Sequence, residues 1–113
     1  MEFLINEEKI KDIVILKLYG NLDAFSASQL EIKIDQLIDT GIIKFVIDME
    51  CLKLISSAGW SIFIECAMQC KKAGGDIKLA GMNEAAERIY KIMRLNTLIN
   101  SFETAELAIK SFK

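Results

Sequence analysis

Hydrophobic positions change their period several times along these 113 residues. Ile13 to Tyr19, IVILKLY, is apolar and rich in β-branched side chains, which predicts a strand. Met1 to Lys9 is more weakly patterned and predicts a strand before it, giving an N-terminal β-hairpin. Gly20-Asn21-Leu22-Asp23 interrupts the pattern. Leu30, Ile34, Leu37 and Ile38 then recur at helical spacing. Ser26 followed three residues later by Gln29 has the form of a capping box, so the spacing predicts a helix over 26–39, with Gly41 just past its end. Ile43 to Asp48, IKFVID, is apolar enough for a central strand, and Met49 to Ile55 reads as a loop.

A second helix is expected from near Ser57 to Lys72, ended by Gly74-Gly75, and a short strand over Ile77 to Ala80. Asn83 is placed to cap a third helix from Glu84 to about Met93, with Ile89, Ile92 and Met93 toward the core. A short strand near Leu98 and Ile99 follows, and Thr104 caps a last helix with Leu107, Ala108 and Phe112 inward. The order β-β-α-β-α-β-α-(β)-α predicts one α/β domain over residues 1–113. Its sheet should be mixed but mostly parallel, of about four or five strands, packed against about four helices.

Composition narrows what such a domain can do. Fourteen basic residues face sixteen acidic ones, a net charge of -2, so there is no basic excess to grip a phosphate backbone and no direct nucleic-acid binding is expected. Histidine is absent, which removes the Ser-His-Asp triad, the Cys-His pair and histidine metal ligands. The three cysteines are Cys51, Cys66 and Cys70. The last two share a helix face but lack the second pair that a zinc site would need, and read as buried thiols in a reducing cytoplasm. No metal or cofactor is expected. The opening MEFLINEEK has no basic region before an apolar run, so no signal peptide is expected. The longest uncharged stretch, Leu54 to Ile64, is far short of the ~20 residues of a membrane-spanning helix. A soluble, cytoplasmic chain without membrane insertion is expected.

The segment Ile55-Ser56-Ser57-Ala58-Gly59-Trp60-Ser61 is the leading candidate for chemistry. It joins the exit of a central strand to a helix start, where exposed backbone N–H groups favour anions. A serine there is either an N-cap or a residue on which a phosphoryl group is held. From Ala58 to Cys70 the only charge is Glu65, so this helix is either buried on most sides or shows apolar surface to a partner. Trp60 is correspondingly core or interface anchor, and the interface reading expects part of its indole exposed. Asp23 and Asp48 lie at predicted strand ends, where a carboxylate pair could act as general acid and base, but no third ligand and no nucleophile with a base accompany them. Gly74-Gly75 and Gly81 lack the spacing of a phosphate-cradling loop.

Four of these segments, in their order and spacing, resemble the STAS family, whose best-known members are bacterial anti-sigma factor antagonists. Gly20-Asn21-Leu22-Asp23 is similar to the family's G-E-L-D turn, and Val46-Ile47-Asp48-Met49 with Leu52 to its third strand and exit loop. Ile55-Ser56-Ser57-Ala58-Gly59 resembles the signature D-S-S-G or D-S-T-G. Lys72-Ala73-Gly74-Gly75, Leu79-Ala80-Gly81 and the stretch from Ile92 to Glu103 match later elements, so the likeness covers nearly the whole chain. The resemblance implies the STAS fold and a non-enzymatic partner of a kinase-type anti-sigma factor. It implies that binding frees a sigma factor, and that phosphorylation of Ser57 ends binding. The implied contact residues are Asp23, Ser56, Ser57, Ala58, Gly59, Trp60 and Ser61.

The chain departs from the family pattern at several positions. The usual aspartate before the acceptor is Ser56, the second hydroxyl is Ala58, G-L-G is Gly59-Trp60-Ser61, and the glycine often ending the third helix is Arg94. Two alternatives follow from the same residues. One is a STAS accessory subunit, of a lipid-transport ATPase or a signalling scaffold, with Ser57 only a cap. The other is a small acid-catalysed enzyme using Asp23 and Asp48.

Overall fold

The computed structural model describes residues 2–112. Strand β1 (Leu4–Ile10) turns tightly into β2 (Ile13–Leu22), giving the expected hairpin. Met1, placed at the head of the expected first strand, lies outside the described residues. Helix α1 (Ala24–Asp39), strand β3 (Lys44–Ile55), helix α2 (Ser57–Lys72), strand β4 (Asp76–Ala80) and helix α3 (Glu84–Ile92) alternate after it. A 3-10 turn over Leu95–Thr97, strand β5 (Asn100–Phe102) and helix α4 (Ala105–Lys110) close the chain. The five strands lie in sequence order, β1 antiparallel to β2 and every later neighbour parallel. This is the mixed, mostly parallel sheet with four helices that the alternation predicts.

Burial divides the molecule into two apolar layers. Leu16, Leu18, Phe45, Ile47, Ile77 and Leu79 point from the sheet into the main core, where α1 contributes Leu30 and Ile34, and α2 contributes Trp60 and Phe63. The opposite face is smaller. There Ile13, Ile15, Val46 and Ala80 are covered by Ala108, Ile109 and Phe112 from α4 and the residues after it. Lys78 is almost fully buried in this layer. Its ammonium donates to the Ser111 carbonyl (3.1 Å) and hydroxyl (2.7 Å) and lies 4.3 Å from the Phe112 ring centre, which ties the chain end to the sheet.

Several sequence expectations are corrected. The segment 49–55 is not a loop but the second half of β3. Its pairing with β2 skips: Lys17 faces Asp48 and Tyr19 faces Cys51, so two residues of β3 oppose Leu18 alone. Such a bulge destroys the alternation by which a strand is read. Asp48 is spent on it, its Oδ1 accepting from the Glu50 N–H at 3.1 Å. The interruption at 20–22 is likewise irregular strand, with Gly20 at φ +92°, where an added Cβ would lie 2.8 Å from the Glu2 carbonyl oxygen. Helix α1 starts two residues earlier than expected, with Asp23 as the cap and Ser26 as the third helical residue. In α3 the buried residues are Ala86 and Tyr90, while Ile89, Ile92 and Met93 are exposed. The last strand is 100–102 and not 98–99, and Leu107 is exposed while Ala108 is buried.

Candidate functional site

Strands β2 and β3 end side by side, Leu22 paired with Ile55. Each is followed at once by a cap residue and a helix: Asp23 and α1, Ser56 and α2. The Ser56 N–H donates to the Leu22 carbonyl at 2.8 Å, which fastens the second helix start to the first. Two parallel strands that end together thus deliver two helix N-termini to one edge of the sheet, and the Asp23 turn is brought beside the Ser56-Ser57 pair.

At the first helix start the cap is reciprocal. The Asp23 carboxylate accepts from the Ser26 N–H (2.9 Å), and the Asp23 N–H donates to the Ser26 Oγ (2.8 Å). The Ser26 hydroxyl, with one proton to share, lies 2.9 Å from both the Asn21 carbonyl and the Asp23 carboxylate. Hydrogen bonds from Ser26, first its N–H and then its hydroxyl, hold the Asp23 carboxyl below the usual aspartate range. Asp23 is therefore a fixed negative charge at neutral pH.

At the second helix start the two serines divide the work. Ser56 is the cap, its Oγ accepting from the Gly59 N–H at 3.3 Å. Ser57 is the first helical residue and is exposed. The first turn of α2 contains no acidic residue, so the positive end of the helix dipole is not neutralised from within. Gly59 explains how closely this turn approaches the sheet: an added Cβ would lie 2.7 Å from Leu22 Cδ2 and 3.0 Å from Ile55 Cγ2.

The seven sequence-predicted contact residues separate by exposure. Asp23, Ser57 and Ser61 are exposed, and Ser61 sits one turn from Ser57 on the same helix face. Ser56 and Ala58 are half-buried, and Gly59 is buried. Trp60 is only 3% exposed, so the expectation of a partly exposed indole is not met. Its ring packs edge-on against Phe63, with centroids 5.7 Å apart. It also lines a small apolar crevice between the end of β3 and α3, with Met49, Leu52 and Ala86. Asn83, the α3 cap, closes that crevice by donating to the Lys53 carbonyl at 3.1 Å. Up to Cys70, α2 is thus buried on most sides, with Ser57, Ser61, Glu65, Met68 and Gln69 exposed.

Two side chains that sequence reasoning passed over flank the site. Phe25, in the first turn of α1, is 75% exposed, and Leu54, two residues before Ser56, is 62% exposed. The length of β3 hid Leu54, and nothing in the local pattern marks Phe25. The acid pair does not form: Asp23 lines a cleft with Phe25 and Gln29, Asp48 a different one with Glu103 and Thr104. Among the described residues no cluster of three or more His, Cys, Asp or Glu is placed to hold a metal ion, and no helix is long and apolar enough to cross a membrane.

BtrV of Bordetella bronchiseptica, named as an anti-sigma factor antagonist, is 26% identical over 94% of this chain and 91% of its own. An anti-sigma factor antagonist from Mycobacterium paratuberculosis superposes with a TM-score of 0.89 at 18% identity, covering 98% of this chain and 94% of that one. The Bacillus cell fate determinant SpoIIAA in its phosphorylated form superposes with a TM-score of 0.78 at 19% identity, covering 99% and 100%. The family profile described as STAS domain matches residues 5–108, nearly the whole chain, and the protein is a member of the STAS domain family.

Proposed function

We propose that this chain is an anti-sigma factor antagonist. It binds a kinase-type anti-sigma factor, frees the sigma factor held there, and is switched off by phosphorylation of Ser57. It acts by binding and not by catalysis. The observation that carries the reading is the division of labour at the α2 start. Ser56 takes the cap, and Ser57 stands beside it exposed, with no cap bond of its own. BtrV is named as an anti-sigma factor antagonist, and SpoIIAA is a protein with a phosphorylated form. Both support carrying the function to this chain.

The switch follows from electrostatics. A phosphate on Ser57 adds about -1.5 to -2 charges at neutral pH. The unneutralised α2 N-terminus tolerates that charge in the free domain, so the fold survives. A partner seated on Ser57, Ser61, Phe25 and Leu54 would have to bury it, next to the fixed charge of Asp23. Burying an unpaired charge costs several kcal/mol, and about 1.4 kcal/mol is already a tenfold loss of affinity. The test is to incubate the chain with a kinase-type anti-sigma factor from the same organism and ATP, then to map the phosphate by mass spectrometry. Phosphate on Ser57 is expected, and Ser57→Ala should abolish it while still binding. Phosphate on Ser56 contradicts the division of labour. No phosphate from any such kinase favours a constitutive docking subunit.

A further inference from the structure

Helix α2 carries a second chemical feature, two turns and more from Ser57 and independent of the function proposed above. Cys66 and Cys70 lie one turn apart on its inward face, both buried, with their sulfurs 3.9 Å apart. Cys51 is elsewhere, half-buried on β3 opposite Tyr19. Cys66 also lines a cleft of about 100 Å³ between α1 and α2, with Ile34, Asp35, Ile62, Glu65 and Gln69. Cys66 is therefore the member of the pair that borders a surface cleft.

Geometry decides what such a pair can take. A disulfide wants Cβ atoms about 3.5–4.5 Å apart, whereas residues four apart on a helix hold theirs at about 5–6 Å. Closing the bond would unwind a turn that the core holds in place. A four-coordinate metal lacks its remaining ligands among the described residues. A linear two-coordinate ion with bonds of about 2.3 Å, the zinc–thiolate length, would need sulfurs about 4.6 Å apart. One atom bonded to both sulfurs in a bent arrangement fits. With bonds of about 2.3 Å, the observed separation corresponds to an angle of about 115° at the bridging atom.

We propose that Cys66 and Cys70 form a binding site for monosubstituted trivalent arsenicals, whose arsenic bridges the two sulfurs. The reaction is a condensation. The arsenical R–As=O and two thiols form two As–S bonds, the arsenic–oxygen bond breaks, and the oxygen leaves as water with both thiol protons. Arsenic stays trivalent, so no oxidant or reductant is consumed. The organic group fills the third valence, which is why two sulfurs suffice. The hydrogen bond between the two sulfurs, followed by burial, holds the Cys66 thiol well above its usual range and lowers Cys70.

The test uses the folded, reduced chain and one equivalent of phenylarsine oxide, followed by intact-mass spectrometry. One phenylarsenic group with loss of two hydrogens is expected. It should survive excess monothiol and be removed by a dithiol. Cys66→Ala and Cys70→Ala should each retain at least tenfold less adduct after the monothiol wash, and Cys51→Ala as much as the natural chain. Trypsin cuts after Lys53 and Lys71, so Cys66 and Cys70 fall in one peptide, 54–71, and Cys51 in another, 45–53. Mapping the unsubstituted protein therefore locates the arsenic even if a core variant fails to fold. Arsenic on Cys51, an adduct stripped by monothiol, or reaction only after denaturation would each overturn the proposal.

Discussion

Alanine at Ser56 and alanine at Ser57 should have opposite effects on stability, although the residues are neighbours of one type. Ser56→Ala removes the acceptor of the Gly59 N–H. Loss of a serine cap costs about 0.5–2 kcal/mol. The bond is 3.3 Å, at the long end, so the lower half of that range applies, about 0.5–1 kcal/mol. For a domain of this size that is a fall in Tm of roughly 2–4 °C. Ser57→Ala removes an exposed hydroxyl from the first helical position and substitutes a better helix former, so Tm should hold or rise by up to about 2 °C. Urea titration followed by the single tryptophan reads both, because Trp60 is buried and its emission reports loss of the core. The slope against urea should be the same in all three proteins. If Ser57→Ala lost as much as Ser56→Ala, or if Ser56→Ala were neutral, the assignment of cap and acceptor would be wrong. Under the proposed function, a phosphate on Ser57 would leave the cap in place, whereas one on Ser56 would remove it.

Three further outcomes are expected. Gly59→Ala should destabilise by about 1 kcal/mol, the overpacking against Leu22 and Ile55 exceeding the gain in helix propensity; thermal melting measures it, and an unchanged Tm would mean that the first turn of α2 can shift. Arg94 sits at φ +55°, in the left-handed region, so Arg94→Gly should raise stability by about 1 kcal/mol, read as a higher urea midpoint. Asp23 has its folded pKa lowered by Ser26, so its contribution is complete above the unfolded value of about 3.9 and is lost as the pH falls through the lower folded value. Asp23→Asn keeps a good cap that does not titrate. The stability difference between the two proteins should therefore be constant near neutrality and shrink below about pH 4; a difference that grows there would reverse the sign of the argument.

What the sequence disclosed and what it withheld have physical causes. Ile13 to Tyr19 and Leu30 to Ile38 each keep one period over several residues, so strand and helix were readable there. Ser56-Ser57, Asn83 and Thr104 were readable as helix starts because caps are local chemistry. The second half of β3 was not, because two irregularities in its pairing with β2 shift the inward positions by a residue each time. In α3 the apolar stripe of Ile89 and Ile92 is strongly periodic yet faces outward, while Ala86 and Tyr90 are buried, and the Tyr90 hydroxyl donates to the Ile99 carbonyl. Periodicity shows that a helix has two faces, and only the packing decides which one is covered. Trp60 illustrates the same limit: its place in the first turn of α2 was legible, but its burial was not, because it depends on how that turn packs against the rest of the core.

In the proposed function, one exposed hydroxyl at the start of α2 controls partner binding. The most direct measurement is the affinity of the anti-sigma kinase for three forms of this chain: unmodified, phosphorylated on Ser57, and Ser57→Glu, each first verified as folded by circular dichroism. Phosphorylation is expected to weaken binding at least tenfold, Ser57→Glu to move it in the same direction by less because its charge is smaller, and all three forms to keep the same spectrum. Equal affinity of the unmodified and phosphorylated forms would contradict the proposed function.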